Sequence, residues 1–439
     1  MKAIKGHYFP HGMHVPDMKY LSADQPVERL PAPKSVAIAL IQSAGKPSVP
    51  VVAAGDKVAI GQLIAKADGL ISSDVFSSVC GTVIGIKEAP TATGGTETFI
   101  YIDNNGNTDT VNLPPLSAPS PEEIKQRIKD AGIVGLGGAS FPTYVKVCPK
   151  TAVDTLILNG AECEPYLTCD HRIMLERTEE IVRGARYIAK ALGVSKIMIG
   201  IEPNKPDCIE AFERFDDIQP VILRKQYPMG SEKHLIYVCT KRRVPIGKLP
   251  ADVGCIVENV ATTLAVCEAI ESGKPLYERV LTVSGKAISR PKNLLVPLGT
   301  DFESIAIACG GSKESLKKII RGGPMTGAAL INNADYTRKA TGGILYLDGT
   351  ETEPYDATPC ISCGKCADVC PMRLMPMQTS IYAEAGYFEK AAKYGGVLYC
   401  IECGSCAYAC PAKRPLLQNI RKTKAEMKKE ISVIRGGGK

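Results

Sequence analysis

Tryptophan is absent from the 439 residues, and phenylalanine occurs only eight times. Aromatic platforms for stacking bases therefore have little to be built from. No apolar run approaches the roughly 18 residues of a membrane span. The opening "MKAIKGHYFP" has basic residues but no apolar core or cleavage site, so no signal peptide is expected and the chain is expected to stay in the cytoplasm. His7, His11 and His14 lie close in sequence without a cysteine or carboxylate at ligand spacing, and read as ordinary loop residues. Net charge is also missing from the body of the chain. The formal net charge is +7, but residues 413–439 alone hold nine Lys or Arg against two acids. A nucleic-acid binder carries its basic residues on folded domains. A short basic tail suits a partner subunit or an anionic membrane surface, or is a solvated end.

Cysteine is plentiful, with 17 residues. In a reducing compartment these are metal ligands and free thiols, not disulfides. Nine of them (Cys80, Cys148, Cys163, Cys169, Cys208, Cys239, Cys255, Cys267 and Cys309) are scattered and read as small apolar core residues. The other eight stand in "CISCGKCADVCP" (residues 360–371) and "CIECGSCAYACP" (residues 400–411). Both match the bacterial ferredoxin run C-x2-C-x2-C-x3-C-P, whose fourth cysteine serves the other cluster. This predicts one 4Fe–4S cluster on Cys360, Cys363, Cys366 and Cys410, and a second on Cys400, Cys403, Cys406 and Cys370. Zinc is the competing ligand for paired CxxC motifs, but two full ferredoxin runs favour iron–sulfur.

The expected organisation is multidomain, mixing α/β and α+β parts. Residues 1–30 are proline-rich and extended. Residues 31–113 read as short strands broken by glycine; "GDKVAIGQLI" and "SSVCGTVIGI" resemble the barrel-sandwich domains that carry biotin or lipoate. The tip "GLISSD" (residues 69–74) has no lysine, so the carrier chemistry is absent. Residues 114–275 open with a linker. A helix follows with Ser120 as N-cap, Pro121 as its first residue and Glu123 closing a capping box. Alternating strands and helices then predict a Rossmann-like α/β sheet with parallel pairings. Residues 276–350 read as a β-grasp unit of the SLBB type. Residues 351–418 read as a helical dicluster ferredoxin-like domain, and residues 419–439 as the basic tail.

Two clusters need a source of electrons. "GLGGASFPTYVK" supplies Gly135, Gly137 and Gly138, where backbone can approach a ligand and cradle a phosphate. It follows a helix, whereas a Rossmann fingerprint follows a strand. "NGAECEP" places Asn159, Glu162 and Glu164 at the C-terminal end of a strand, where ligands bind in open α/β sheets.

These two motifs together resemble the flavin and NADH site of the flavin-bearing subunit of respiratory complex I. The whole chain, from "GMHVP" through "GKLPADVG" and "GGPMTG" to the double cysteine run, is similar to the RnfC family, one of the subunit families of Rnf complexes. The resemblance implies FMN and NAD(H) as cofactors beside the two clusters. It also implies an electron-transfer role in a membrane ferredoxin:NAD oxidoreductase coupled to Na+ or H+ transport, peripheral on the cytoplasmic face through partner subunits. It carries Gly135, Gly137, Gly138 and Lys146 to the FMN phosphate, and Asn159, Glu162 and Glu164 to flavin and nicotinamide. It further carries over Gly230 and Glu232 from "MGSEKHLI", and Asn259, Thr262 and Thr263 from "ENVATT". Phe141 falls where a ring could stack on nicotinamide or adenine. The complex I subunit has two adjacent acids where this chain has Glu232 and Lys233, a departure that bears on the dinucleotide contacts. Flavin chemistry needs no nucleophile from the protein, so no catalytic side chain is expected. A cobalamin reductase of the propanediol-utilisation type and a non-enzymatic electron relay are the alternatives.

Overall fold

The computed structural model describes residues 1–352 and 356–436, with side chains up to residue 429. Residues 353–355, at the start of the expected dicluster domain, and residues 437–439 of the basic tail lie outside the described residues. The N-terminal segment contributes two short strands, β1 (Ile4–Lys5) and β2 (Val27–Arg29), each to the sheet of a later module.

The first module has two antiparallel sheets. One holds β3 (Ser35–Ala39), β5 (Lys57–Val58), β8 (Gly81–Pro90) and β9 (Thr96–Asn104); the other holds β4 (Val49–Pro50), β6 (Leu63–Lys66) and β7 (Val75–Phe76). Alternate residues face inward, as the pleat requires: Val36 and Ile38 of β3 meet Ile100 and Ile102 of β9 and Ile64 of β6. Gly81 permits the closest approach, because a Cβ there would sit 1.8 Å from the Asp103 carbonyl oxygen. Of the tip expected at residues 69–74, residues 69–71 form an exposed bend in which Leu70 is 68% exposed, while Ser72, Ser73 and Asp74 are buried.

The second module begins at α1 (Pro121–Asp130). Its capping box forms as predicted: Glu123 N–H donates to Ser120 Oγ at 3.3 Å, and Ser120 N–H donates to Glu123 Oε2 at 2.7 Å. The glycine loop follows, then α2 (Thr143–Lys146), β10 (Thr155–Gly160), α3 (Cys169–Glu176), α4 (Thr178–Leu192), β11 (Lys196–Ile201), α5 (Pro206–Glu213), β12 (Ile218–Ile222), α6 (Glu232–Thr240), β13 (Cys255–Asn259) and α7 (Val260–Glu271). The sheet order is β1-β12-β11-β10-β13, all parallel. The chain therefore moves outward from β10 through β11 and β12, then returns to β13 on the other side of β10. That reversal is a topological switch point, the place where such sheets bind ligands. Asn159 and Asn259 are register partners at its C-terminal edge. Helices cover the sheet through Ile128, Leu156, Ile181, Ile188 and Val266.

The third module pairs β14 (Glu278–Ser284) with β15 (Lys292–Pro297), then runs through α8 (Phe302–Ala308), β16 (Leu316–Arg321), β17 (Ala328–Ala329) and β18 (Gly343–Asp348). The order β17-β16-β18-β14-β15-β2, with β14 and β18 parallel, is that of a β-grasp sheet. β2 covers the exposed edge of β15, as edge strands require.

The last module is helical: α9 (Lys365–Asp368), α10 (Pro376–Glu384), α11 (Phe388–Gly395), α12 (Ser405–Ala409) and α13 (Leu416–Gly436). The two cysteine repeats share their backbone turns. Ser362 and Glu402 are left-handed at φ 55° and 57°, and Arg373 and Lys413 at φ 55° and 52°. The boundary drawn between residues 418 and 419 falls inside α13. Leu416, Leu417 and Ile420 are buried beneath the cysteine loops, so the basic segment starts as a packed helix.

Candidate functional site

Three cavities organise the chemistry. Cys360, Cys363, Cys366 and Cys410 line the first. Cys370, Cys400, Cys403 and Cys406 line the second. Each thus gathers three cysteines from one repeat and the fourth from the other. The remaining lining is largely apolar, with Met377, Ile381 and Leu416 in the first and Leu374, Val397 and Ile420 in the second. Among the described residues, neither cavity is lined by a histidine or a carboxylate. Backbone amides aim at the sulfurs in matched pairs: Ser362 N–H to Cys360 Sγ at 3.5 Å and Glu402 N–H to Cys400 Sγ at 3.3 Å, then Leu374 N–H to Cys370 Sγ at 3.3 Å and Arg414 N–H to Cys410 Sγ at 3.5 Å. Four converging soft donors with amide support fit an iron–sulfur cluster. Burial pushes the Cys400 thiol up to about 11 and raises Cys366, Cys403 and Cys406, so metal binding there must displace protons.

The third cavity, about 510 Å³, opens at the switch point of the parallel sheet, within the roughly 300–1,000 Å³ range of cofactor sites. Gly137, Gly138, Asn159, Glu162, Glu164, Gly230 and Asn259 all line it. Asn259 caps α7 by accepting from Ala261 N–H at 2.9 Å, and its Nδ2 donates to Asp170 at 2.7 Å. Gly137 lies against that side chain; a Cβ there would be 2.7 Å from Asn259 Nδ2, while one on Gly138 would meet nothing within 4 Å. The loop tip therefore presents backbone to the cavity, a fit for a phosphate cradle. Asn159 donates to the Gly230 carbonyl at 2.9 Å. Glu162, left-handed at φ 47°, accepts from Asp170 N–H at 2.6 Å and pairs with buried Lys19 at 3.5 Å. Burial, helped by the charge of Glu162, lifts Asp170 to about 6.

Six of the residues singled out from sequence are off the cavity wall. Gly135 N–H closes the loop on the Phe141 carbonyl at 2.9 Å, and Thr262 Oγ1 accepts from Leu136 N–H at 2.9 Å. Thr263 Oγ1 donates to the Asn259 carbonyl at 3.0 Å. Lys146 pairs with Glu232 at 3.2 Å and Glu258 at 3.6 Å, and donates to the Val257 carbonyl. These six hold the loop and the strand end in place from behind.

Sequence reasoning missed Asp170, buried Arg279 and the loop of residues 322–327. "GGPMTG" counts in the sequence only toward the family resemblance, and two adjacent glycines after a strand were the available signal. A Cβ on Gly323 would lie 2.1 Å from Glu164 Oε2. Glycine there lets the carboxylate accept from Met325 N–H at 3.1 Å and Thr326 N–H at 2.9 Å.

The second and third cavities share a wall. Cys163 lines the large cavity and packs with Tyr227, Met325 and Cys403. Tyr227 donates its hydroxyl to the Cys403 carbonyl at 2.7 Å. His234 Nε2 donates to the Pro371 carbonyl at 3.3 Å, and burial drops its basicity to about 4.

Family models match in the same order along the chain: an RnfC barrel-sandwich hybrid domain over residues 7–107, a Nuo51 FMN-binding domain over residues 128–268, and a 4Fe-4S dicluster domain over residues 354–411. Fold and sites thus define an electron-transfer oxidoreductase that joins an FMN-binding domain to an iron–sulfur dicluster domain. The chain is 45% identical to the corresponding subunit of the proton-translocating ferredoxin:NAD(+) oxidoreductase complex of Clostridium ljungdahlii, covering 95% of this chain and 93% of that one. It is 40% identical to the Na(+)-translocating counterpart of Acetobacterium woodii, covering 97% and 98%. A solved NAD+-reducing nickel–iron hydrogenase matches at TM-score 0.49 and 19% identity over 71% of this chain and 65% of its own. The chain belongs to the RnfC family of ion-translocating oxidoreductase complexes.

Proposed function

We propose that this chain is the NAD(H)-reacting subunit of a membrane-bound, ion-translocating ferredoxin:NAD oxidoreductase. It exchanges electrons between NAD(H), FMN, two 4Fe–4S clusters and partner subunits. The observation that carries the reading is the shared wall between the large cavity and the four-cysteine cavity of Cys370, Cys400, Cys403 and Cys406. Among the described residues no helix is long and apolar enough to cross a membrane; attachment is assigned to partner subunits because the relatives are named as subunits of complexes.

FMN, when bound, supplies the exchange between a two-electron hydride and single electrons. The chain's residues do the rest. Gly137 and Gly138 offer backbone to the FMN phosphate, while Asn159, Asn259 and Glu162 present polar groups at the strand ends for the flavin ring. Tyr227, Met325 and Cys163 keep water out of the partition toward Cys403. The cluster of Cys370, Cys400, Cys403 and Cys406 is thereby the proximal one. The other, whose Cys363 is exposed, is distal and faces partners.

The test is anaerobic reconstitution of the full chain with iron, sulfide and FMN, followed by titration with NADH. Flavin absorbance should bleach and a reduced cluster signal should appear, and acid should release FMN into the supernatant. A reconstituted chain that NADH leaves oxidised would make this an electron relay, not an NAD(H) enzyme.

A further inference from the structure

The Nuo51-type match covers residues 128–268, and the barrel-sandwich and β-grasp modules close the far side of the large cavity with residues 41–44 and 338–342. The segment between β1 and β2 contributes no residue to the lining, yet it reaches the site from behind. Lys19 of that segment is 6% exposed, and lysine is almost never buried unless it is paired. Its ammonium has three protons to place. It pairs with Glu162 at 3.5 Å and donates to the carbonyls of Glu164, at 3.1 Å, and of Leu167.

The segment is built to deliver that one amine. Met18 is left-handed at φ 50°, and after this turn Lys19 is buried while Tyr20 is 68% exposed. On one side, the Asp17 carbonyl accepts from Tyr166 N–H at 2.8 Å, and the Asp17 carboxylate pairs with Lys225 at 2.7 Å. On the other, the hydroxyls of buried Ser22 and Thr168 meet at 2.8 Å, and Asn293 Nδ2 donates to the Ser22 carbonyl at 2.9 Å. Residues 17–22 thus lie as a strap along residues 162–168, pinned at both ends.

What the strap holds is the turn that follows β10. Glu162 is left-handed at φ 47°, a conformation that bulky side chains avoid. It lines the cavity although its side chain is only 4% exposed, so what it presents there is largely backbone. Its carboxylate is drawn inward between Lys19 and the Asp170 N–H. The Asp170 carboxylate stands beside it, with an oxygen of each within 4.8 Å of the other. Like charges so close disfavour each other, and Lys19 supplies the compensating cation.

We propose that Lys19 is a positioning residue of the flavin site: by neutralising Glu162 it fixes the turn against which FMN is held and sets the charge beside it. The N-terminal segment is then a working part of an FMN site whose family match begins only at residue 128. This rests on the reading of the large cavity as the flavin site.

The test is a charge cycle on the full chain, reconstituted anaerobically with iron, sulfide and FMN. Lys19→Gln still offers donors to the two carbonyls but leaves Glu162 without its paired cation. Removing one partner of a buried pair costs more than removing both. FMN Kd should rise about tenfold in Lys19→Gln, the loss of one charge-assisted contact. The flavin midpoint potential should become more negative, because the site loses a positive charge. A pair that served stability alone would move the thermal midpoint and leave that potential in place. Adding Glu162→Gln removes the uncompensated carboxylate. The double variant should return to within about threefold of the wild-type Kd and close to its potential, with both cluster signals unchanged. Lys19→Gln with wild-type Kd and potential would overturn the proposal. So would a double variant whose loss is the product of those in Lys19→Gln and Glu162→Gln. If Lys19→Gln takes up no clusters, the double variant decides: a wild-type potential supports the proposal, and absent FMN overturns it. A wild-type chain that takes up iron but no FMN overturns the flavin reading, and the proposal with it.

Discussion

Cys363 is exposed and Cys403 is buried, although each is the second cysteine of a repeat with the same spacing and the same left-handed turn before it. Ile361 is 66% exposed, while its counterpart Ile401 packs against Tyr227 and Met325. Lys424 donates to the Cys400 carbonyl at 2.7 Å and pairs with Glu402 at 2.7 Å. Ser362 stands at the Glu402 position in the first repeat. Ligand geometry is local to each motif, and the repeats share it. Solvent, neighbouring charge and distance from the large cavity are set by other modules. The comparison teaches that two equal clusters acquire a direction from what packs on them.

The largest test of this contrast removes ligands. Cys370→Ser and Cys403→Ser should each abolish the same reduced EPR signal, while Cys410→Ser and Cys363→Ser abolish the other. If Cys370→Ser instead pairs with Cys363→Ser, the two cavities do not describe the ligation. A smaller effect should come from charge. Lys424→Met removes a cation beside the proximal cluster, so the reduced, more negative state loses stabilisation. Redox titration should show the proximal potential fall and the distal one stay put; a shift in the distal cluster alone would reverse the assignment of the two.

The smallest effect on the clusters is expected from Lys339, which ties three modules together yet lies outside both repeats. Its amine is fully buried and donates to the carbonyls of Asp74 and Gly132, each at 2.7 Å. Burial depresses it from 10.5 to about 7. Between those values the unfolded chain binds the extra proton, so stability rises with pH. The cost is fully present below about pH 7 and relieved toward pH 10.5, at no more than about 1.4 kcal/mol per pH unit. Urea unfolding from about pH 7 to 9 should show this rise in the wild type and a flatter profile in Lys339→Met, with both cluster signals unchanged. An equal slope in the two proteins would mean that the amine keeps its charge when folded.

Much of the scaffold is legible from local rules. The Ser120 capping box, the short glycine-punctuated strands and the strand–helix alternation after it depend on neighbours within a few residues, and they form as expected. Seven of the nine scattered cysteines (Cys80, Cys169, Cys208, Cys239, Cys255, Cys267 and Cys309) are buried, as small apolar side chains should be. The candidate site was legible where a motif carries its own geometry, as with Gly137, Gly138 and Asn159; Asn259 entered only through the family resemblance. It was not legible where a side chain is spoken for at long range. Nothing near Lys146 in sequence announces Glu232 and Glu258 as its partners, and nothing near Arg279 announces the Leu136 carbonyl, 3.4 Å away.

By itself the sequence determined that this chain holds eight thiols in two ferredoxin runs, a glycine-rich loop, and polar residues after an apolar strand-like run. Those follow from residue type and spacing over a dozen positions. Only the tertiary structure decided which cysteine cavity adjoins the large cavity, and which modules close the far side of it. The deciding contacts, Tyr227 to Cys403 across 176 residues and Gln42 to Lys339 across 297, are made between separate modules. Such contacts exist only once each module has buried its own core and the folded surfaces are brought together.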